Sequence, residues 1–487
     1  MTGPVPALSD RALACAGQLL DADHVLLASH IDADGLTSAA VASEMLMRAG
    51  IEFEAVFKNQ LDSHEIDSIA KRARDTVLFT DFGSGQLDDI AAHERAGSFT
   101  PVVVDHHQPA DAETRYHLNP LLEGLDGASE LSGAGAAYLV ARALAERSPA
   151  ADGGTVEMAA TRSSRADNQD LAALAVVGAV GDMQASDGGL AGANSEIVAE
   201  GVAAGVVEEA TDLAVYGKQT RPLPKLLEYA TDVFVPGISN SRSGALEFLT
   251  GLDIELKSDG EWQSWVALDA SDRQTVARAL IRRAIERGVP AGKIDRLVGT
   301  SYTLTEETEG TVLRDASEYS TLLNATARYN RADVGLAVCL GDRDAGLERG
   351  HELLRNHRRN LSEGLSWVTD NGVTVESHIQ WFDAGDRIKE TIVGIIAGMA
   401  MGADGIDRGT PMIAFASKSA SETKVSGRGT QSLVRTGLDL GAVMGTASGA
   451  VGGKGGGHDV AAGATIPAGQ EDAFIDEADR IVGEQLG

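Results

Sequence analysis

The chain opens on a regular alternation of short apolar runs and longer segments whose apolar residues recur at helical spacing. After an amphipathic helix within residues 1–23, the uncharged run Val25-Leu26-Leu27-Ala28 reads as a buried strand. It breaks into His30, Asp32 and Asp34; Gly35 allows a tight turn, and Thr37 or Ser38 caps a helix that continues through AAVASEMLMRAG. FEAVF (53–57), TVLFTD (76–81) and PVVVD (101–105) are the next strands, separated by the helices HEIDSIAKRARD (64–75) and QLDDIAAHERAG (86–97). Strands of about five residues alternating with helices of about ten predict a parallel, doubly wound α/β sheet, and in such sheets ligands gather at the carboxyl ends of strands.

Further along, LAALAVVGAVGDMQ (171–184) is a buried helix that ends in Asp182, and residues 148–169, poor in bulky apolars, read as a surface loop. Three prolines within 213–237 (Pro222, Pro224, Pro236) suit a linker. ASDRQTVARALIRRAIERG (270–288) is a helix capped by Ser271, with Val276, Leu280 and Ala284 on its apolar face beside Ala277 and Ile281. Its Arg273, Arg278, Arg282, Arg283 and Arg287 form a solvated face or a row of phosphate contacts. Beyond about 321, DVGLAVCLGD (333–342) and PMIAFASKS (411–419) read as strands and RIKETIVGIIAGMAMGA (387–403) as a core helix. A chain of 487 residues is too long for one core. Three domains are expected: a doubly wound α/β domain over 1–212, a mainly helical insertion with linker over 213–320, and a second α/β domain over 321–487.

Charge alters this picture more than composition does. The chain carries 41 basic and 72 acidic residues, a formal net charge of −31, and only 10 of the basic residues are lysine. With 4% aromatics and many Ala and Gly, this is the balance of a protein adapted to molar salt, where self-repulsion is screened within a few ångströms. Such a proteome makes nearly everything acidic, so the charge argues only weakly against a nucleic-acid partner. Cys15 and Cys339 offer no disulfide framework. With no signal-peptide pattern and no run of membrane-spanning length, a cytoplasmic protein without a membrane partner is expected.

The candidate chemistry sits at strand ends. His30, Asp32 and Asp34 close the first strand, Asp81 the third, and Asp105-His106-His107 the fourth. Carboxylates with imidazole suit Mn²⁺ or Mg²⁺ better than a structural zinc. Acidic caps of strand–helix turns are the alternative for Asp32, Asp34 and Asp81 taken singly. Near the other end, Ser426-Gly427-Arg428 and Gly455-Gly456-Gly457-His458 lie in 411–467, a stretch whose balance is +2. Arginine suits a phosphodiester by its bidentate fork, and a glycine triplet lets backbone N–H groups approach one.

His30-Ile31-Asp32-Ala33-Asp34-Gly35, the strand-end Asp81, Asp105-His106-His107 and Gly181-Asp182, in that order, resemble the DHH phosphoesterase superfamily. GGGH followed by Ala461–Gly463 resembles the signature of the DHH-associated domain, and Ser426-x-Arg428 its phosphate grip. Asn324-Ala325-Thr326-Ala327-Arg328 resembles the Asn-Ala-x-Gly-Arg turn of RecJ-type nucleases, with Ala327 where glycine is usual. The layout is most similar to archaeal RecJ-like exonucleases, among them the one that accompanies the GINS replication complex.

The resemblance implies two Mn²⁺ ions, with Mg²⁺ as substitute, that share Asp81. Asp32 and Asp34 would each hold one ion, and His106 and Asp182 would complete the second. Asp105 would orient an imidazole, and His107 would reach the phosphate or the leaving oxygen. His30 departs from the pattern: it lies two residues before the first Asp, where the family's small phosphatases and pyrophosphatases have four. Asn324, Arg328, Ser426, Arg428, Gly455, Gly456, Gly457 and His458 would bind substrate. The implied function is exonucleolytic cleavage of single-stranded DNA or RNA in replication or repair, with GINS as a candidate partner. A small-substrate phosphodiesterase of the same superfamily, acting on short oligonucleotides or cyclic dinucleotides, and a non-catalytic replication scaffold are the alternatives.

The charge makes a direct prediction. The protein should be folded at molar KCl and lose structure below about 0.5 M, where its own repulsion is unscreened. Circular dichroism across a KCl series measures this; a native spectrum persisting to about 0.1 M would reject the salt-adapted reading.

Overall fold

The computed structural model describes residues 3–72, 75–147, 167–185, 188–230, 233–403 and 405–487. The chain divides into two compact units, Met1–His351 and Glu352–Gly487. Residues 321–351, expected in the C-terminal domain, therefore pack with the first unit.

The first unit is built on five parallel strands: β1 (His24–His30), β2 (Glu52–Lys58), β3 (Thr76–Thr80), β4 (Thr100–Val104) and β5 (His117–Leu118), in the order β2-β1-β3-β4-β5. Register aligns Ala28 with Phe79 and Phe79 with Val103, so one row of apolar side chains crosses the sheet. Strand residues alternate faces. Leu26, Ala28, Val77, Phe79 and Val103 meet Ile66 and Ile69 of α3 (Ser63–Arg72) and Leu87 and Ile90 of α4 (Leu87–Arg95). The other face is covered by α1 (Ser9–Leu20), α2 (Ala33–Ala49) and α5 (Gly133–Arg147), with α6 (Ala172–Gly181) and α7 (Gly192–Ala203) stacked behind. The doubly wound parallel sheet expected from the alternation is the one observed.

The antiparallel ribbon β6 (Val207–Leu213) and β9 (Val298–Leu304) frames a module with its own core around Trp265, Leu223, Leu226, Leu227, Val276 and Leu280. A small hairpin, β7 (Lys257–Ser258) and β8 (Glu261–Trp262), lies within it. The stretch expected as a linker is part of this core. Pro222 and Pro224 stand at the start of the helix Leu223–Glu228, where a missing N–H costs nothing, so they begin a helix instead of breaking one.

The second unit is a six-stranded sheet: β10 (Thr374–Val375), β11 (Gln380–Asp383), β12 (Met412–Ser417), β13 (Glu422–Arg428), β14 (Lys454–Gly457) and β15 (Ala461–Pro467), in the order β10-β11-β12-β13-β15-β14. Ile413, Phe415, Val425 and Ala464 pack on the helices Leu440–Ala450 and Glu471–Leu486, and Met412, Ala414 and Ala416 on the helix Val393–Ala400.

Several local expectations need correction. α2 starts at Ala33 and not after Thr37: Asp32 has extended backbone and its carboxylate accepts from Gly35 N at 2.9 Å, so it is the cap. Gly35 serves close approach and not a turn, since a Cβ there would lie 2.2 Å from the His30 carbonyl oxygen. Asp269, not Ser271, caps the helix Ala270–Glu286. Residues Ala332–Cys339 are helical, not a strand; Val334 and Val338 are buried one turn apart, and short apolar runs fit either period. The expected core helix 387–403 is helical only over Val393–Ala400. Of the expected loop 148–169, residues 148–166 lie outside the described residues; Asn168 is buried and its Nδ2 donates to the Ala141 carbonyl at 2.8 Å.

Leu280 is fully buried against the middle module's core. Leu280→Ala should cost about 2–5 kcal/mol through lost contact and a cavity. Denaturant unfolding at fixed salt measures it, and a loss under about 1 kcal/mol would mean that the site collapses around the change.

Candidate metal centre

The strand ends deliver their side chains to one place. β1 ends at His30, whose Nδ1 lies 3.0 Å from Asp32 Oδ2 and 3.4 Å from Asp81 Oδ2. Asp81 follows β3 with a left-handed backbone (φ 60°), a conformation a non-glycine residue holds only where its surroundings enforce it. Its N–H donates to the Val104 carbonyl at 3.1 Å. Oδ1 of the same carboxylate lies 3.2 Å from His106 Nε2, so Asp81 faces both imidazoles.

Asp34 and Asp32 part company despite their spacing. Asp32 stays beside His30, whereas Asp34, in the first turn of α2, turns into the N terminus of α5. There Oδ2 accepts from Gly133 N at 2.7 Å and Oδ1 from Ala134 N at 2.9 Å, an anion at orphan helix donors. Close packing of α6 makes this possible: a Cβ at Gly178 would lie 2.4 Å from both Asp34 Oδ1 and Ala134 Cβ. His106 Nε2 is 3.8 Å from Asp34 Oδ2 and 3.8 Å from Asp182 Oδ2. Among the described residues three donor groups result, His30/Asp32/Asp81, Asp34/His106/Asp182 and Asp81/Asp105/His106/His107, each with donor atoms within 4.8 Å of one another; the first two are the candidate ligand sets.

Hydrogen bonds outside these sets fix them. His106 Nδ1 pairs with the Gly127 carbonyl at 2.7 Å, which assigns the proton to Nδ1 and turns Nε2 toward the carboxylates. Gln184 Nε2 donates to Asp182 Oδ2 and to the Gly127 carbonyl, both at 2.9 Å, and Gln184 Oε1 accepts from Asn194 Nδ2. Fully buried Asp105 accepts from Ser84 N and His106 N and holds His107 Nδ1 at 2.8 Å, which leaves the other side of a half-exposed imidazole to solvent. Ser84 Oγ joins His117 Nε2 and Asn119 Nδ2. Burial, against Asp105's pull, lowers His117 to about 4, so it serves as a neutral partner. Gln184, Ser84, His117 and Asn119 carry no role in the sequence reading, although Gln184 lies two residues past Asp182 and Ser84 three past Asp81.

Electrostatics test whether cations fit. Burial and then the charges of Asp81 and Asp182 raise Asp34 well above the carboxylate range, and burial with Asp81 raises Asp182. For both His30 and His106 burial opposes charge, yet their acids override it: Asp32 and Asp81 raise His30 to about 11, and Asp81, Asp34 and Asp182 hold His106 well above its usual value. Among the described residues, Asp81 Oδ2 and His106 Nε2 are buried without a hydrogen-bond partner. Buried polar atoms are almost always satisfied. A divalent ion bound by oxygen and imidazole would satisfy both and neutralise the crowded carboxylates, so these residues fit Mn²⁺ or Mg²⁺.

Asn324 and Arg328 belong to the helix Ala316–Arg328 and not to a turn. Asn324 Oδ1 accepts from Ala33 N at 3.1 Å, steadying the start of α2, while Arg328 is exposed and its charge acts on Asp32. In the second unit, register places Ser426 opposite Gly463 and Gly463 opposite Gly456. Arg428 ends β13 beside Gly394, where a Cβ would lie 2.4 Å from its Nη2. Gly455, Gly456, Gly457 and His458 are exposed on and after edge strand β14.

Three family models match: "DHH family, N-terminal domain" over residues 24–175, "DHH-CID domain" over 215–298 and "DHHA1 domain" over 374–484. An uncharacterized protein of Methanocaldococcus jannaschii is 30% identical over 471 residues, covering 95% of this chain and 94% of that protein. The structure of RecJ from Thermus thermophilus in complex with Mn²⁺ is similar with a TM-score of 0.59 at 17% identity, covering 99% of this chain and 56% of that one. CDC45 from Entamoeba histolytica is similar with a TM-score of 0.62 at 11% identity, covering 98% and 99%. At such identities the solved structures share the fold. The chain spans little more than half of the Thermus RecJ chain but nearly all of the Methanocaldococcus protein.

Removing Asp81, which faces both His30 and His106, should have the largest effect on ion binding. Asp81→Ala should abolish Mn²⁺ binding in calorimetric titration while leaving the circular dichroism spectrum native. Gln184→Ala should weaken it by roughly 10- to 100-fold, because it frees Asp182 without removing a ligand. Wild-type affinity in Asp81→Ala would overturn the assignment.

Proposed function

The chain belongs to the DHH family as a RecJ-like member, and from that premise we propose that it is a metal-dependent phosphodiesterase that degrades single-stranded DNA or RNA from an end. The observation that carries this reading is the pair of unsatisfied buried atoms, Asp81 Oδ2 and His106 Nε2, amid two convergent ligand sets. Six residues would hold two ions: His30, Asp32 and Asp81 on one side, Asp34, His106 and Asp182 on the other, with Asp81 common to both. Such ions supply a nucleophile from water at neutral pH and neutralise charge developing on a phosphodiester.

The chain's own groups do the rest. Asp105 holds the His107 Nδ1 proton, and that hydrogen bond raises the imidazole's pKa. A charged His107 can hand a proton from its solvent-facing nitrogen to a departing oxygen. Ser426, Arg428 and the exposed strand Lys454–Gly457 would hold the phosphates of the strand. Work in replication or repair beside a GINS complex is the setting the family resemblance implies. A non-catalytic scaffold is the second reading, favoured by the likeness in fold to CDC45. The full complement of ligand residues speaks for catalysis.

End-labelled DNA and RNA strands incubated in high salt with Mn²⁺ test the reading. Stepwise shortening that stops on chelation is expected, and intact strands in the presence of bound Mn²⁺ would leave the scaffold. Arg428→Ala should raise KM several-fold more for a long strand than for a dinucleotide, whose few phosphates offer less to hold. Equal losses on both would move Arg428 to the scissile phosphate.

A further inference from the structure

The middle module differs from the rest of the chain in charge. Residues 213–297 carry 12 basic and 11 acidic residues, a balance of +1 in a protein of −31. Among the described residues, five of the six cation–π pairs lie in this module. Energetically significant pairs occur roughly once per 70–80 residues, so such a concentration in one module is out of proportion.

Four of the five form one neighbourhood. The Arg221 guanidinium lies 4.8 Å from the centre of the Tyr216 ring and 5.2 Å from that of Tyr229, and Lys225 Nζ lies 6.0 Å from the Tyr229 ring. Lys257 Nζ lies 4.8 Å over Trp262 on the hairpin. The hairpin is tied to this segment directly: Leu223 N donates to the Gln263 carbonyl at 2.9 Å, and Pro222 bridges to Ser264. Tyr229 is 52% exposed, while Trp262 is partly buried with one side against the module's core.

The neighbourhood is also anchored to the metal centre's support. Glu318, fully buried, accepts from Gln219 N at 2.8 Å and from Thr220 Oγ1, immediately before Arg221. Ten residues along the same helix, about 15 Å at 1.5 Å per residue, Arg328 acts on Asp32. One rigid helix therefore spaces the aromatic stack from the ligand sets.

We propose that the Tyr216–Arg221–Tyr229–Lys225 stack, extended by Lys257–Trp262, is a platform on which bases of a single nucleic-acid strand stack, away from the phosphate that is cut. This rests on the reading that the substrate is such a strand. Stacking is the mode of capture suited to this chain. At molar salt phosphate contacts weaken steeply, whereas a ring face takes any base and the flanking cations add to it.

Fluorescence anisotropy with labelled strands of about 20 nucleotides, in Ca²⁺ to suppress turnover, tests the platform on the full chain. Tyr229→Ala and Trp262→Ala should each weaken binding about tenfold, Tyr229→Phe and Trp262→Phe should restore it, and hydrolysis of a dinucleotide in Mn²⁺ should be unchanged in all four. The native circular dichroism spectrum checks folding, and the Phe variants carry the test if an Ala variant unfolds. Unchanged strand affinity in both Ala variants, with the wild type binding and cutting strands, would overturn the platform and leave the nuclease reading standing. A wild type that neither binds nor cuts any strand would overturn both. Loss of a protein partner at unchanged strand affinity would assign the face to that protein and overturn the platform.

Discussion

Everything in the first unit is arranged around a repulsion. Asp34, Asp81 and Asp182 converge on His106, and burial together with the neighbouring carboxylates raises Asp34 and Asp182 above the usual carboxylate range. The surrounding structure offsets part of this with neutral dipoles: two N–H groups at the start of α5 on Asp34, the Gln184 amide on Asp182 and the Gly127 carbonyl on His106. The offset is incomplete, since among the described residues Asp81 Oδ2 and His106 Nε2 are left without a hydrogen bond. Divalent cations are the groups whose charge and ligand preference match such a set.

The fold makes this crowding possible. A parallel sheet brings the carboxyl ends of β1, β3 and β4 to one edge, and so aligns His30, Asp81 and His106, which are far apart in sequence. Asp182 arrives from the end of α6, which reaches the edge only because small residues let it press against α2 and α5. Gly178 is the closest point of that approach, and the strained backbone of Asp81 is held by its bond to Val104. Strain and tight packing fall where the candidate chemistry is, as expected when function and not stability dictates local geometry.

Charge organises the molecule at a coarser scale. The excess of acid is spread over the chain, yet the 411–467 stretch is +2 and the middle module +1. Those islands hold the Ser-x-Arg and glycine-rich strand in one case and the cation-capped aromatic rings in the other. In an acidic protein such stretches are where self-repulsion is locally relieved.

The order of elements in the first unit was legible because buried parallel strands and amphipathic helices leave periods of two and 3.6 residues that need no tertiary knowledge. Strand-end positions of His30, Asp81 and the Asp105-His106-His107 run followed from the same pattern. Element boundaries were less so: whether Asp32 or Thr37 caps α2, and whether Ala332–Cys339 is helix or strand, depends on which neighbour a residue meets, since local propensity admits both. The linker reading of 213–237 failed because proline alone does not say whether it starts or stops a helix; the core around Trp265 decides. The hydrogen-bond partners around the site, Ser84 on Asp105, His117 and Asn119 on Ser84, and Gln184 on Asp182, were not singled out because such a bond asks only for a donor or acceptor at the right distance. Thus sequence singled out the candidate ligand residues and the edge of the sheet they approach. The tertiary structure alone turned Asp34 onto the N–H groups that open α5, left Asp32 beside His30 and set Asp81 between two imidazoles, because distances of about 3 Å are fixed by packing across elements and not by spacing along the chain.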